Sequence, residues 1–376
     1  MSPVRVGIDL APASQAHRAP GTARHVFHQT LELFRLDVPW RWVPVAESRD
    51  NPLWPHAESF SPILLPGRRF FTRAVLQIGP AWRRAGCRLG FATTSFPPLC
   101  GPPFVVNVFD SNLYEHGSTW IASGQRARYY LNRWATSLAI RHARRVFTLS
   151  KYCKNRLAAV FPRHSDKFSV IPCGTTDLGP PAPAAPVWAR DLSRPFFLYA
   201  GTFSENKNQR RLLEAWSQLQ SLHADLPLLV LLGPCPADYG RDIIQPLLQR
   251  APRPRDILQP GHVTNAELAW AYAHAIAYVQ PSIAEGFGLP VVEAMRAGLP
   301  VACSNTTSLP EVGGDAVLYF DPFDPASLRD AVTRLWTDEP LRRQLAARGH
   351  QQAARFTWKK SAALAAAEIE AVLASR

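Results

Sequence analysis

Long apolar runs are absent from this 376-residue sequence. No stretch approaches the ~18 apolar residues that a membrane-spanning helix needs, and the densest short run is residues 226–232. The first thirty residues also lack the apolar core of a signal peptide, because Asp9, Pro12, Arg18 and Pro20 interrupt them. We therefore expect a cytoplasmic protein without a membrane span.

Paired cysteines are also missing. The six cysteines are scattered and include no Cys-x-x-Cys motif, so their spacing indicates neither a zinc site nor a disulfide framework. They lie at Cys87, Cys100, Cys153, Cys173, Cys235 and Cys303. This pattern fits a soluble protein of a reducing compartment.

Acidic residues are scarce in the N-terminal half. Residues 1–195 hold 25 Lys and Arg against 11 Asp and Glu, a net charge of +14, whereas residues 196–376 have a net charge of −1. One interpretation is a solvated, arginine-rich face. Another is attraction to an anionic membrane surface. Nucleic acid ranks last, because no recognition helix, zinc finger or aromatic-basic RNA motif accompanies the charge.

The length suggests two domains, and an alternation of strand and helix patterns occupies both halves. Residues 37–103 are rich in Pro, Trp and Arg, and we expect irregular structure there around a few strands and helices. We predict strands at residues 4–8, 104–109, 145–149, 168–171, 196–200, 228–232, around 257, 277–279 and 301–302. We predict helices at residues 22–36, 125–142, 151–160, 209–222, 240–249, 264–274, 290–297 and 364–373. Two short Ser/Thr-x-x-Glu motifs, at Thr264 and Ser308, predict capping boxes.

A proline-rich stretch separates the halves, since residues 179–186 cannot hold a helix or a central strand. We therefore predict an N-terminal domain over residues 1–178, a linker over 179–195 and a C-terminal domain over 196–350. A terminal helix within residues 351–376 is expected to pack back toward the N-terminal domain. The fold class that follows is α/β, with two doubly wound, Rossmann-like domains. Ligands of such sheets bind beyond the carboxyl ends of the strands, so a cleft between the halves is the expected site.

The most informative stretch is residues 281–295, which combine a strand end, a turn with two glycines and a helix with an early proline. Gly286 and Gly288 allow close approach of the backbone to a ligand, and the amides of the helix start favour a diphosphate. Glu293 lies about one turn into the helix, within reach of a ribose diol, and Glu285 stands near a sugar. The alternative is a tight strand–helix turn with a solvated Glu285 and a capping Glu293.

A second anion-binding candidate is residues 201–208, again between a buried strand and a helix. Lys207 supplies a full positive charge there, and Gly201 leaves room for a ligand. A lysine in the first turn of a helix is usually solvated, so this signal is weak alone. Together with the glutamate turn, it predicts a clamp for a diphosphate.

The second half resembles the donor domain of the retaining glycosyltransferases of family four, which have the GT-B fold with two domains facing each other across a cleft. Similar members include the bacterial mannosyltransferase-like proteins of the "glycosyl transferases group 1" family. The resemblance rests on Glu285-Gly286-Phe287-Gly288-Leu289-Pro290-x-x-Glu293-Ala294, which matches the E-x7-E signature, and on Gly298-x-Pro300-Val301 and Ser308-Leu309-Pro310-Glu311. It covers residues 145–376 well and the N-terminal domain thinly.

The resemblance implies a role for each matching residue. Lys207 would neutralise the donor diphosphate, Glu285 would contact the donor sugar, and Glu293 would bind the ribose hydroxyls. The phosphates would lie on the backbone of the glutamate turn and the phosphate loop, and the base at a strand end: Gly201, Thr202, Val263, Gly286, Phe287, Gly288 and Leu289. Gly21 would line the N-terminal side of the cleft. No metal or other cofactor is implied, and the sequence has no Asp-x-Asp pair to hold one.

The sequence departs from the family pattern at two positions. Asn206 replaces the usual arginine of the phosphate loop, and Arg210 or Arg211 is a candidate to supply the missing charge. Phe109 stands where many relatives carry histidine, which leaves the adjacent Asp110 as the better candidate to contact a sugar. His116 is either a substitute for that histidine or a solvated loop residue.

Three functions therefore remain open. The first is transfer of a sugar from a nucleotide-sugar, GDP-mannose or a UDP-sugar, to a glycan or lipid-linked acceptor with retention of configuration. In that case the basic N-terminal half would bind the acceptor and an anionic membrane surface, and the enzyme would be peripheral on the cytoplasmic face. The second is a catalytically silent nucleotide-sugar-binding or scaffold protein of a polysaccharide assembly complex. The third is another GT-B activity, such as an epimerase or phosphorylase.

Overall fold

The computed structural model describes residues 3–15, 21–65, 72–115, 126–175, 177–190, 192 and 194–375. The chain forms two compact units, Met1–Gly174 with Thr357–Arg376, and Thr175–Phe356. The predicted linker segment lies inside the second unit, where the amide of Ala182 donates to the carbonyl of Ala266 at 3.0 Å. The two ends of the second unit are joined, because the amide and hydroxyl of Thr175 both donate to the carbonyl of Phe356, at 3.0 and 3.1 Å.

The first unit is built on a parallel sheet of seven strands in the order β3-β2-β1-β4-β5-β6-β7. Its strands are β1 Val4–Asp9, β2 Trp40–Ala46, β3 Ile63–Leu64, β4 Leu89–Ala92, β5 Phe104–Val108, β6 Arg145–Thr148 and β7 Phe168–Val170. Its α-helices are α1 Gly21–Arg35, α2 Trp54–Ala57, α3 Ile78–Arg84, α4 Asn112–Glu115, α5 Arg126–His142, α6 Lys151–Val160 and, at the end of the chain, α15 Trp358–Ala374. Short 3-10 or π turns are Ala11–Gln15, Glu58–Phe60, Arg73–Gln77 and Pro162–Lys167.

The packing of the core of the first unit requires glycine at two positions and includes the terminal helix α15. The fully buried indole of Trp82 covers neighbouring strands at Gly7 and Gly90, where an added Cβ would lie 2.3 Å from the ring. Alanine side chains and Ile369 of α15 belong to the same buried cluster as Val26 of α1. The terminal helix is therefore part of the core of the first unit.

The second unit has a parallel sheet of six strands in the order β10-β9-β8-β11-β12-β13. Its strands are β8 Phe196–Ala200, β9 Leu228–Leu232, β10 Ile257–Gly261, β11 Ala277–Gln280, β12 Val301–Ser304 and β13 Leu318–Phe320. Its α-helices are α7 Gln209–Leu222, α8 Ala237–Tyr239, α9 Gln245–Arg250, α10 Asn265–His274, α11 Leu289–Arg296, α12 Leu309–Gly313, α13 Pro325–Thr337 and α14 Glu339–Ala353. Short turns are Val187–Ala189, Glu205–Lys207, Gly240–Ile244 and Pro254–Asp256.

Local sequence signals account for most of these boundaries. The capping box predicted at Thr264 is present, since its side chain accepts from the amide of Glu267 while the carboxylate of Glu267 accepts from the Thr264 amide. The helix predicted at 240–249 is present, because the chain runs without a break from the π turn Gly240–Ile244 into α9, with Pro246 in the first turn of the α-helix. Proline has no amide hydrogen to donate, so the regular hydrogen-bond pattern of an α-helix is interrupted there. Within the described ranges, no helix is both long and apolar enough to cross a membrane.

Candidate functional site

The carboxyl ends of three adjacent strands in the second unit carry glycines. Gly201 follows β8, Gly233 follows β9, and Gly261 ends β10. The amide of Gly233 donates to the carbonyl of Gly261 at 2.8 Å, and that of Gly201 to the carbonyl of Leu232 at 2.9 Å. Gly233 has φ +127°, and a Cβ there would lie 2.2 Å from the Gly201 carbonyl oxygen, so only glycine fits. Glycine at this edge therefore lets the ends of β8, β9 and β10 approach one another closely.

Lys207 and Glu285 meet beside this edge. Lys207 ends the turn Glu205–Lys207, and its Nζ lies 2.6 Å from both carboxylate oxygens of Glu285. Glu285 is buried, with 8% of its side chain exposed, whereas Lys207 keeps 22% exposed. The alternative interpretation of a solvated Glu285 is therefore wrong. The ammonium group stays accessible to an anion while the carboxylate is held in place.

Two further donors fix the carboxylate of Glu285. Its Oε1 accepts from Gln280 Nε2 and from Ser282 Oγ, each at 2.8 Å. Gln280 ends β11 and is itself oriented by the hydroxyl of Tyr278, which donates to its side-chain oxygen. Burial, with smaller contributions from neighbouring tyrosines and Glu285, raises the pKa of Tyr278 well above its usual value, which keeps this donor protonated. The sheet thus sets the position of Glu285.

The turn after Glu285 offers backbone donors at the start of α11. Gly288 has φ +104° and precedes the first turn of α11. The amides of Phe287, Gly288 and Leu289 donate to no acceptor in the part of the chain that the structure describes. Such amides at a helix start favour a negative charge, and a lysine has three donors, so one remains after pairing with a carboxylate. The arrangement can hold a diphosphate.

A run of hydroxyl side chains after β12 fixes the loop that carries Glu285; we call residues Ser304, Thr306, Thr307 and Ser308 the hydroxyl clamp. Ser304 Oγ donates to the carbonyl of Ser282, and Thr306 Oγ1 donates to that of Ile283 at 3.0 Å. Thr307 Oγ1 accepts from the Glu285 amide at 3.1 Å. These residues were not among the predicted site residues, because their role depends on β12 lying next to β11.

Ser308 corrects a prediction. Its side chain does not cap α12, and no capping box forms at Ser308. Instead its hydroxyl lies 3.0 Å from the carbonyl oxygens of both Glu285 and Phe287. Buried carbonyls that lack a partner carry a free-energy cost, so a buried hydroxyl is drawn to them rather than to an accessible helix end.

Asn206, the departure from the arginine of the family pattern, joins the two loops of the site. Its carbonyl accepts from the amide of Ile283 at 2.8 Å, and its side chain donates to the carbonyl of Ala284 at 3.3 Å. The two candidate replacements for the arginine have other partners. Arg210 pairs with Glu205 at 3.3 Å, and Arg211 donates to the side chain of Asn208 at 3.1 Å.

The remaining predicted residues of the second unit lie on α11 and on the loops after β8 and β10. Glu293 is buried in α11, and its Oε2 lies 3.5 Å from the hydroxyl of Tyr272. The carbonyl of Thr202 accepts from Gln209 Nε2 at 3.2 Å, which ties the loop after β8 to α7. Val263 is half-buried two residues beyond the end of β10. Their contacts with a ligand remain predictions.

The candidates in the first unit are described separately. Gly21 is the first residue of α1, and Asp110 follows β5, where its Oδ1 accepts from the amide of Asn112 at 2.9 Å. Phe109 packs edge-on against the ring of His25, with centroids 5.2 Å apart. His116 lies outside the described residues, so its proposed substitution stays a prediction.

His25 is a buried group that the sequence did not single out. Its Nδ1 lies 3.2 Å from the sulfur of Cys173, and it packs edge-on against Trp358. Burial lowers the pKa of His25 to about 4, so the imidazole is neutral at physiological pH. The neighbouring His28 stacks on Trp358, and burial followed by the charge of Arg24 lowers its pKa to about 4 as well.

Comparison with known proteins finds a family match within the second unit. Residues 184–352, a little under half of the chain, match the family model "Glycosyl transferases group 1". The chain as a whole has the GT-B fold: it superimposes on a sucrose-phosphate synthase from Thermosynechococcus elongatus with a TM-score of 0.73 at 20% identity, over 99% of this chain and 100% of the other.

Two curated relatives are mannosyltransferases of Escherichia coli. The chain is 35% identical to "O-antigen chain mannosyltransferase B" over 223 residues, which is 58% of each chain. It is 33% identical to "Serotype-specific mannosyltransferase WbdA" over 171 residues, 45% of this chain and 21% of the relative. The matched region thus spans little more than half of the first relative and about a fifth of the second.

Proposed function

We propose that this protein is a retaining glycosyltransferase that transfers a hexose from a nucleoside-diphosphate sugar to a glycan or lipid-linked acceptor. The observation that carries the proposal is the Lys207–Glu285 pair, 2.6 Å across, at a turn whose next residues carry three amides without an acceptor in the described residues. Mannose is the first candidate sugar, because the two relatives named above are mannosyltransferases. GDP-mannose is therefore the first donor to test, followed by UDP-sugars.

The proposed reaction needs charge stabilisation more than covalent chemistry. The bond between the sugar C1 and the phosphate oxygen breaks, a bond from the acceptor oxygen to C1 forms on the same face, and the acceptor proton passes to the departing phosphate. Lys207 and the amides of Phe287 to Leu289 stabilise the charge that develops on the diphosphate. Glu285 positions the sugar, and Glu293 binds the ribose hydroxyls.

The donor side is tested by binding and turnover in parallel. A thermal-shift screen against GDP, UDP, ADP and their sugars identifies the nucleotide, because a ligand of the native state raises its melting temperature. Glu293→Ala should then weaken donor binding, whereas Lys207→Ala should slow turnover at saturating donor by about 100-fold. Lys359→Ala, which removes an exposed lysine of α15 in the other unit, is the control. Unchanged affinity and turnover in both site variants would contradict the proposal.

A silent nucleotide-sugar-binding protein is the alternative, and Phe109 at a position expected to hold a sugar contact favours it. Slow hydrolysis of the donor without an acceptor separates the two: an enzyme releases free sugar, and a pure binder does not. Product analysis with a sugar phosphate in place of the nucleotide-sugar tests for a phosphorylase.

We also propose that turnover needs no metal, since Lys207 supplies the positive charge; full loss of activity in EDTA, restored by a divalent cation, would contradict this.

We propose that the acceptor binds to the basic first unit, which carries most of the positively charged residues of the chain. A lipid-linked acceptor would place this unit at a membrane surface, and the protein would then be a peripheral one on the cytoplasmic face. Cosedimentation with anionic vesicles, weakened by salt, is the expected behaviour.

A further inference from the structure

Helix α5 has apolar residues on two opposite sides. On its inner side Tyr129, Ala135, Ala139 and Ile140 are buried against the first unit. On its outer side three large apolar residues face solvent, with 60% of Tyr130, 42% of Leu131 and 52% of Trp134 exposed. A helix at the surface of a globular domain needs only one apolar stripe to pack, so the inner side alone is sufficient to hold α5 in place.

The outer residues form one continuous stripe. Its members lie three, four, seven and eleven residues after the first, which places all of them on one helix face: Ala127, Tyr130, Leu131, Trp134 and Leu138. Ala127 is exposed and Leu138 half-buried. The exposed Arg141 extends the same face at the C-terminal end of the helix, so a basic residue adjoins the apolar stripe.

The surrounding segment is the most basic part of the chain. Residues 126–167 contain eleven Lys and Arg against a single acidic residue, Asp166, a net charge of +10. Helix α5 itself has four arginines and no acidic residue. Arg126, Arg128 and Arg141 are exposed, and none of them forms an ion pair with a carboxylate in the described ranges.

Positive groups crowd together where α5 ends. Lys167 Nζ donates to the carbonyl of Arg141 at 2.7 Å, which brings the turn Pro162–Lys167 against the helix end. Desolvation, followed by the charges of Lys167 and Arg141, lowers the pKa of the nearby His164. The end of the apolar stripe is therefore a cationic cluster.

We propose that the outer face of α5, with its flanking arginines, docks on an anionic lipid bilayer. Trp and Tyr prefer the interface between water and lipid, and arginines are attracted to anionic headgroups. A second copy of the chain fits poorly, because two segments of charge +10 would face each other. A neutral glycan could stack on Tyr130 and Trp134 but gives the arginines no partner. The inference deepens the proposed lipid-linked acceptor and otherwise stands on the surface alone.

The test is flotation of the full-length protein with two kinds of vesicle. One contains phosphatidylcholine with about 30% phosphatidylglycerol, and the other contains phosphatidylcholine alone. We expect binding to the anionic vesicles, a marked loss at high salt, and little binding to the neutral ones. Equal binding to both, or to neither, would overturn the proposal.

Two sets of variants separate the apolar and charged parts. Tyr130→Ser with Trp134→Ser removes the exposed rings, and Leu222→Ser, at a residue 71% exposed in the second unit, is the matched control. Arg126→Gln with Arg128→Gln and Arg141→Gln should lower the partition coefficient on the order of 100-fold. Arg190, Arg250 and Arg255, exposed in the second unit, provide the control triple.

The outcomes of these vesicle experiments can be distinguished from the outcomes of the tests of the proposed function. Both α5 variants should keep their melting temperature and the donor hydrolysis of the parent, since the replaced residues are exposed in the other unit. Loss of vesicle binding only in the α5 variants supports the proposal. Vesicle binding unchanged in both α5 variants, retention on immobilised mannan instead of vesicles, or a dimer lost in the α5 variants would each overturn it. Absence of nucleotide binding would refute the proposed function and leave the flotation result intact.

Discussion

The hydroxyl of Ser308 lies at hydrogen-bond distance from two carbonyl oxygens of the turn that carries Glu285, although the sequence around it has the pattern of a helix cap. The pattern predicts a capping box, which does not form, because the hydroxyl lies 3.0 Å from the carbonyl oxygens of a buried turn instead. Local motifs such as Ser-x-x-Glu report what a side chain can do in isolation. Contacts with a residue about twenty positions away decide what it does.

Replacement of Ser308 by alanine should weaken donor binding about 10-fold, since loss of a buried hydrogen bond costs about 1–1.5 kcal/mol. The affinity for the nucleotide identified by thermal shift, measured by calorimetry, checks this. Ser217→Ala, which removes an intrahelical hydroxyl bond in α7, should leave the affinity unchanged. An equal effect of both replacements would show that Ser308 acts only through general stability. Rescue by Ser308→Thr would support a role of the hydroxyl.

The buried carboxylate of Asp9 destabilises the folded state when it is ionised. It is 2% exposed at the end of β1, and desolvation, opposed mainly by Arg73, raises its pKa from 3.8 to about 6. A folded-state pKa above the unfolded one means that stability falls as pH rises from about 4 to 6. Asp9→Asn should therefore stabilise the first unit at pH 7 by up to about 3 kcal/mol, with no gain at pH 4. Urea unfolding at the two pH values measures this, and a destabilised variant at pH 7 would contradict it.

At the scale of elements, the turn before α11 depends on one glycine. Gly288 has φ +104°, and an added Cβ would lie 2.6 Å from Leu309 Cδ2. Gly298, just beyond the same helix, has φ +75° with nothing within 4 Å of an added Cβ. Alanine would therefore introduce backbone strain at both positions, but it would clash with a neighbouring side chain only at Gly288.

Gly288→Ala and Gly298→Ala should each cost about 1–2 kcal/mol of stability for a left-handed alanine. Only Gly288→Ala should also abolish nucleotide binding, because the clash with Leu309 moves the amides of the turn. Chemical unfolding and thermal shifts with nucleotide, on both variants, provide the comparison. Nucleotide binding retained by Gly288→Ala would mean that the turn does not hold the phosphates.

Most elements were predictable, because the strands of both parallel sheets read as short apolar runs between turn signals. Two regions are exceptions. No element was predicted over residues 318–353, which form β13, α13 and α14. Over residues 37–103, β2 contains Pro44 paired with Ile8 inside the sheet. Proline argues against an inner strand, so this strand was hidden. In the site, Lys207 and Glu285 were predicted from motifs. Gln280 and the hydroxyl clamp were not, since their roles arise only when β11 and β12 lie side by side.

At the scale of the whole molecule, the buried His25 and the half-buried His28 make the fold sensitive to acid. The pKa of His25 and that of His28 lie at about 4 in the folded chain, below the ordinary value of 6.5. The unfolded chain therefore binds more protons, and stability is lost as pH falls from about 6.5 to 4. Asp9 has the opposite effect between pH 4 and 6 and offsets part of this loss.

Lowering the pH from 7 to 4 should destabilise the first unit, with His25 alone contributing about 3 kcal/mol. Replacement of His28 by glutamine should make the dependence on pH shallower, while Asp9→Asn should make it steeper. Guanidinium unfolding at four pH values in this window measures the slopes. The same slope in the parent and both variants would show that these groups do not control acid unfolding.

The hydrogen bonds between Thr175 and Phe356 bring the two ends of residues 175–356 within 3.1 Å of each other. This half of the chain is consequently an insertion within the other, and it can be excised or circularly permuted without a long connecting peptide. Truncation of the chain before Trp358 should destabilise the first unit rather than the second, because α15 is part of the core that contains β1. Proteolytic fragments should accordingly sort as one contiguous piece, residues 175–356, and a two-fragment remainder.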